Sequence, residues 1–195
     1  MQFPLRLAFK VFAFAPQITV TDATGATLFY SKQKLFKLKE TINVFADENQ
    51  ATQVATIASD SMITFSARFN FTDAGGQSLG GIGRKGFRSL WRAHYEVFTA
   101  AGEPAGTIRE ENPFVKVIDG LLGEVPFVGV FLAMLFQPRY LLTGADGTPL
   151  LRIRKRRTVF QINFDIESLA NLSEDDAKRD VLATIMLAML EKHRE

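Results

Sequence analysis

At 195 residues, 47% hydrophobic and 23% charged, the chain is long enough for one domain with a sizeable core. Its net charge of +2 argues against wholesale nucleic-acid binding, and the absence of cysteine excludes a disulfide frame, thiolate chemistry and cysteine-held metal. Eighteen Phe against one Trp and three Tyr is a load of large side chains without polar handles, suited to filling an interior.

Leu5 to Ala15 is apolar, but Arg6 and Lys10 interrupt it, whereas a secretory signal carries its charge ahead of an unbroken run. A first strand near Leu5 to Phe14 is expected, and with no cysteine the natural compartment is the cytoplasm. The sequons at Asn70 and Asn171 then never meet a glycosylation machinery.

From Gln17 the chain repeats one unit, an extended run, a turn of Asp, Gly or Asn, and a second extended run. The turns fall at Asp22 to Gly25, Asp47 to Gln50, Asp73 to Gly76, Ala100 to Glu103 and Gly144 to Gly147. The first four are about 26 residues apart, the beat of consecutive hairpins in an antiparallel sheet. Ile63, Phe65, Ala67, Phe69 and Phe71 alternate with polar residues, as do Phe160, Ile162, Phe164 and Ile166, which predicts strands with one dry and one wet face.

Val181 to Leu190 is apolar at every position but Thr184, a helix with no wet face. Ser173 with Asp176 forms a capping box, the acids Glu174 to Asp176 suit its positive end, and Lys192, His193 and Arg194 suit its negative end. A ten-residue run falls short of the roughly 20 that span a bilayer, so protein must wrap this helix. Five hairpins and their flanking strands give roughly a dozen strands, more than an open twisted sheet usually carries. Closure removes the edges, and so wide a barrel needs something in its lumen. The expectation for residues 1–195 is one mainly β domain, a closed antiparallel barrel of about twelve strands around the buried C-terminal helix.

A Phe-rich alternating strand leading through a short polar stretch into an apolar C-terminal helix, after hairpins with D-x-x-G turns, resembles the tubby C-terminal-like superfamily. LURP-one-related proteins and phospholipid scramblases are its nearest branches. Ile18 to Lys37, Arg139 to Arg156 and Phe160 to Glu191 carry the resemblance. It implies a twelve-stranded barrel threaded by a helix, with phosphoinositide or membrane association in some members and lipid scrambling claimed for others. The chain lacks the Pro-rich leader, the cysteine cluster for palmitoylation and the acidic calcium loop, which argues against calcium-driven scrambling.

Arg152, Arg154, Lys155, Arg156 and Arg157 form the densest charge in the chain, a candidate anionic-lipid patch that also fits a solvated strand face. Gly81 to Gly86 reads G-x-G-x-x-G, yet no helix follows, because Trp91, Ala93, Tyr95 and Val97 alternate as a strand; as a nucleotide motif it is a decoy. As a glycine-rich hairpin turn it would offer an anion nest with Arg84, Lys85, Arg88 and Arg92, beside the plainer reading of turn geometry alone. Between the fourth and fifth turns, Leu121 to Phe136 is an apolar insertion. Val125, Phe127, Val130, Phe131, Leu132, Leu135 and Phe136 are its candidate contacts with a membrane or a partner, with Lys116 and Arg139 at its ends to meet lipid phosphates. A lid on the barrel is the bland alternative.

His94 on the wet face of a strand and His193 in the helix's last turn are far apart, and no G-x-S-x-G or H-E-x-x-H occurs. No catalytic residue, cofactor or metal is therefore expected. The function expected is non-enzymatic binding of a membrane surface or anionic phospholipid by a cytoplasmic, peripheral protein. The alternatives are a protein-interaction module, self-associating through residues 121–136, then phospholipid scrambling, and carriage of an apolar ligand in the lumen. Nucleic acid is not an expected partner.

Overall fold

The computed structural model describes residues 1–10, 17–32, 41–60, 68–84, 94–111, 138–157 and 161–192, Arg157 by its backbone alone. Strands follow one another from end to end: β1 (Leu5–Lys10), β2 (Gln17–Thr21), β3 (Thr27–Lys32), β4 (Ile42–Phe45), β5 (Gln53–Ser59), β6 (Arg68–Thr72), β7 (Ser78–Arg84), β8 (His94–Phe98), β9 (Pro104–Glu110), β10 (Arg139–Gly144), β11 (Pro149–Arg157) and β12 (Gln161–Ser168). Each pairs antiparallel with its chain neighbours, and β1 pairs with β12 from Leu5↔Ile166 to Lys10↔Gln161, closing the barrel. The remainder of the expected first strand lies outside the described residues, as do Ile63, Phe65, Ala67 and Phe160 of the two alternating runs.

The period of two decides which way each side chain points. Leu5, Leu7 and Phe9 on β1, Phe69 and Phe71 on β6, and Ile162, Phe164 and Ile166 on β12 are buried with their counterparts on the other strands in one core. The intervening residues face outward.

All five expected hairpins are present, the fourth turn at Thr99–Gly102, one residue earlier than expected, and all are built alike. A backbone N–H three residues on closes each turn: Gly25 to the Asp22 carbonyl, Gln50 to Asp47, Gly76 to Asp73, Gly102 to Thr99 and Gly147 to Gly144. The donor sits at positive φ each time, +58° at Gln50 and 83–88° at the four glycines, and the strand register slips beside the turn. That is a type I turn followed by a left-handed bulge residue, a connection whose twist suits antiparallel strands. Side-chain carboxylates add main-chain bonds: Asp22 Oδ1 accepts from the Thr24 and Ala26 N–H groups, and Asp73 Oδ1 from those of Gly75 and Gln77. Because strands alternate in direction, these five turns lie at one end of the barrel, the turn end. The ends of β1, β3, β5, β7, β9 and β11 and the starts of the strands that follow them lie at the opposite mouth.

Helix α1 (Glu174–Lys192) enters at the turn end and runs through the lumen. Ser173 Oγ accepts the Asp176 N–H at 3.1 Å and donates to Asp176 Oδ2 at 2.6 Å, the cap expected from the sequence. Every residue from Val181 to Leu190 is at most 2% exposed. Val181, Leu182, Ile185, Met186, Leu187, Met189 and Leu190 each contribute about 1.5–3 kcal/mol of burial, an upper estimate that nonetheless exceeds any helix propensity term. Gly80, at φ +114°, makes room at the entrance, where a Cβ would lie 2.2 Å from the Phe98 carbonyl oxygen and 3.0 Å from the Arg179 side chain. Among the described residues, α1 occupies the lumen and packs in one core with the inward side chains of the strands.

Candidate functional site

The basic run on β11 is split between two faces. Leu151, Ile153 and Lys155 point inward and Arg152, Arg154 and Arg156 outward, so Lys155, 5% exposed, is not part of an outer lipid patch. Sequence proximity grouped it with the arginines; the strand period separates it from them. The outward arginines meet carboxylates from both sides. Arg152 lies 3.6 Å from Glu111 and 4.0 Å from Glu167, Arg154 lies 3.4 Å from Glu167, and Arg156 Nε is 2.7 Å from Asp165. Asp165 also reaches Arg6 on β1 at 3.7 Å. Surface pairs of this kind contribute only about 0–1 kcal/mol each to stability, but they cancel most of the field that the sequence promises here.

Three other cations at the mouth have no such partner. Lys10 ends β1, Lys32 ends β3 and Arg139 opens β10; all are exposed, and none has an ion-pair partner among the described residues. Gln17 pairs with Lys10 on one side and Lys32 on the other, placing the two lysines two strands apart, roughly 10 Å. Arg139 pairs in register with Arg154, and Arg156 lies two residues farther along β11. Arg139, Arg156, Lys10 and Lys32 therefore form an outward arc across β10, β11, β1 and β3. The legible signal for this arc was positional: each is the terminal or near-terminal strand residue, in the polar phase, at the same end.

Gly81 to Arg84 is not a turn, as the anion-nest reading required, but the second half of β7. A Cβ on Gly81 would lie 2.7 Å from the Phe69 carbonyl oxygen, and one on Gly83 3.4 Å from the Phe98 ring. That ring stacks on the Arg68 guanidinium, 3.8 Å from its centroid, so the glycine lane serves close strand contact and an outer cation–π pair. Arg84, in the inward phase with Ile82, is half-buried on the inner wall, its Nε without a hydrogen-bond partner. Lys85, Arg88 and Arg92 lie outside the described residues, as do Lys116 and Leu121 to Phe136 with Val125, Phe127, Val130, Phe131, Leu132, Leu135 and Phe136.

Inside the mouth a polar cluster closes the lumen, and sequence reading missed it. Glu191, near the end of α1, accepts from the Tyr95 hydroxyl at 3.1 Å and from the Tyr140 hydroxyl at 3.0 Å. Burial first, and then the nearby Glu191 charge, push the Tyr140 phenol well above its ordinary range. Lys192 Nζ sits 4.8 Å from the Phe9 ring centroid, and burial holds its ammonium below the usual range. These groups anchor the helix end rather than line a vacant site.

At the helix entrance, Arg179 Nε bonds Asp180 Oδ1 at 2.9 Å and its Nη1 bonds Asp176 Oδ1 at 2.6 Å. Asp180 is fully buried with Oδ2 unpartnered, and burial outweighs Arg179 in raising its carboxyl to about 6. A groove of about 880 Å³ opens beside this entrance, lined by Met1, Phe3, Leu169 and Leu172 among others. Among the described residues, no three His, Asp or Glu side chains converge as a metal set, and no helix is long and apolar enough to cross a membrane.

No protein-family model matches the chain, and no curated protein matches it. An X-ray structure of a protein from Arabidopsis thaliana is similar with a TM-score of 0.51, at 13% identity over 97% of this chain and 92% of that one. Identity this low shows likeness of fold alone.

Proposed function

We propose that the protein is a non-enzymatic module that associates with anionic membrane surfaces, of the tubby C-terminal-like kind that its sequence resembles. The observation that carries this reading is the set of Arg139, Lys10 and Lys32, exposed at one mouth without an ion-pair partner among the described residues, while Arg152, Arg154 and Arg156 of the barrel wall are neutralised by their neighbours. Each cation near an anionic surface contributes about 1 kcal/mol, so three give roughly 3 kcal/mol, a dissociation constant of several millimolar. Association by this set alone is therefore weak, reversible and salt-sensitive. Carriage of an apolar ligand is disfavoured by the helix in the lumen.

Co-sedimentation with phosphatidylcholine vesicles, with and without phosphatidylserine, at low and high salt tests the reading. Binding should require phosphatidylserine and weaken as salt rises, since the Debye length is about 8 Å at physiological strength and shrinks further. Lys10→Ala with Lys32→Ala should weaken it about 30-fold, the loss of two contacts. Arg152→Ala, which removes a paired charge, should change it much less. Failure to bind phosphatidylserine vesicles at low salt overturns the proposal, as does a preference for single-stranded nucleic acid over vesicles.

A further inference from the structure

Among the described residues, acids are in excess at one end of the barrel and cations at the other. Each of the five turns holds or adjoins an acid (Asp22, Asp47, Asp73, Glu103 and Asp146), and Glu174, Asp175 and Asp176 of the first turn of α1 emerge among them. The opposite mouth holds Lys10, Lys32 and Arg139, cations without an ion-pair partner among the described residues, together with the exposed acids Asp60 and Glu111. This separation is invisible along the sequence, because each hairpin interleaves the two ends; only the alternation of strand direction sorts them.

We infer that the protein docks end-on, with the basic mouth against the anionic surface, the barrel axis near the membrane normal and the acidic turn end facing away. The inference rests on the membrane reading above and adds the pose. The longest strand has nine residues and spans roughly 30 Å, about 23 Å along the axis at the usual tilt near 40°. In the end-on pose the turn-end acids stand nearly three Debye lengths from the lipid phosphates, and their repulsion is screened to about a tenth or less. A side-on pose brings some of those acids level with the surface and presents a wall on which Glu111, Asp165 and Glu167 oppose the arginines. End-on approach is thus the orientation in which the excess of cations lies near the surface and the excess of acids is screened. Both the pull and the torque that turns the molecule come from the same axial charge separation.

The absence of cysteine makes the test direct. Single cysteines at Ala23, Ala74 and Ala145, exposed positions spread around the turn end, and at Thr41, exposed at the mouth, would each carry an environment-sensitive fluorophore. Phosphatidylserine vesicles containing a brominated lipid as quencher provide the readout. End-on docking predicts quenching at Thr41 and none at the three turn-end positions. Side-on docking by any face brings at least one turn-end label to the surface, and quenching at any of the three overturns the inference while leaving membrane binding intact. Absence of vesicle binding would overturn the membrane reading itself. In a second arm, Glu48→Gln, Glu103→Gln and Asp175→Asn together should admit tilted poses and raise turn-end quenching at least twofold. No change in quenching would show that the acidic end does not set the pose.

Discussion

At the turn end, polar side chains work locally: Asp22, Asp47 and Asp73 bond main-chain N–H groups within four residues of themselves, and Arg179 bonds its own helix neighbours. At the mouth the polar contacts are long-range, joining Glu191 to tyrosines 96 and 51 residues away. The first kind of contact shapes a turn and forms wherever the sequence motif occurs. The second kind exists only when helix and wall are in final register. An apolar helix in an apolar lumen gains little preference for one axial position from hydrophobic burial, which has no direction. The paired polar groups at its two ends give it one.

The largest effect should come from breaking the mouth. Glu191→Ala removes the acceptor shared by two tyrosine hydroxyls, in residues at most 1% exposed, and about 1–3 kcal/mol for each suggests a loss of roughly 2–6 kcal/mol in urea denaturation. Replacing all three by Glu191→Leu, Tyr95→Phe and Tyr140→Phe should restore part of that stability, because neither hydroxyl is then left buried without its acceptor. Equal destabilisation in both variants would place the effect elsewhere.

Next in size is a pH dependence at the turn end. Asp180 has its folded pKa raised to about 6 from an ordinary 3.8, so between those values the folded chain holds a proton that the unfolded chain releases. Its contribution to stability is therefore greatest below about pH 4 and falls as pH rises to about 6, by roughly 3 kcal/mol at most. Asp22, Asp146 and Asp176 act in the opposite sense. Their hydrogen bonds, with Thr24, Thr148 and Ser173 in turn, hold their folded pKa values below the ordinary one, and their contribution is lost as pH falls through that lowered range. Stability measured by denaturant between pH 7 and 4.5 should rise on acidification, and Asp180→Asn should flatten the rise. A slope unchanged in that variant would assign it to other groups.

The smallest effect probes the uniformity of the turns. Gln50 adopts at φ +58° the conformation that glycine holds in the other four hairpins. Gln50→Gly should therefore stabilise by about 1 kcal/mol or less, and Gly76→Ala, where a Cβ meets nothing within 4 Å, should cost about 1–2 kcal/mol from backbone strain alone. Thermal denaturation of the two variants, if it moved both in the same direction, would contradict the shared turn geometry.

Local signals in the sequence determined the β character, the five turns, the capped helix from Glu174 and the inward phase of Phe69, Phe71, Ile162, Phe164 and Ile166. Turn chemistry, capping and the period of two act within a few residues, so the chain states them outright. Strand number and the need for a lumen filler carried the argument to a closed barrel around the helix. Tertiary structure alone decided what the charges do. It turned Lys155 inward, set Glu111, Asp165 and Glu167 against the arginines of β11, brought Tyr95 and Tyr140 to Glu191, and sorted an excess of acids to one end and of cations to the other. The physical reason is that Coulomb interactions depend on distances across strands and on burial, and register and closure fix both between residues far apart along the chain.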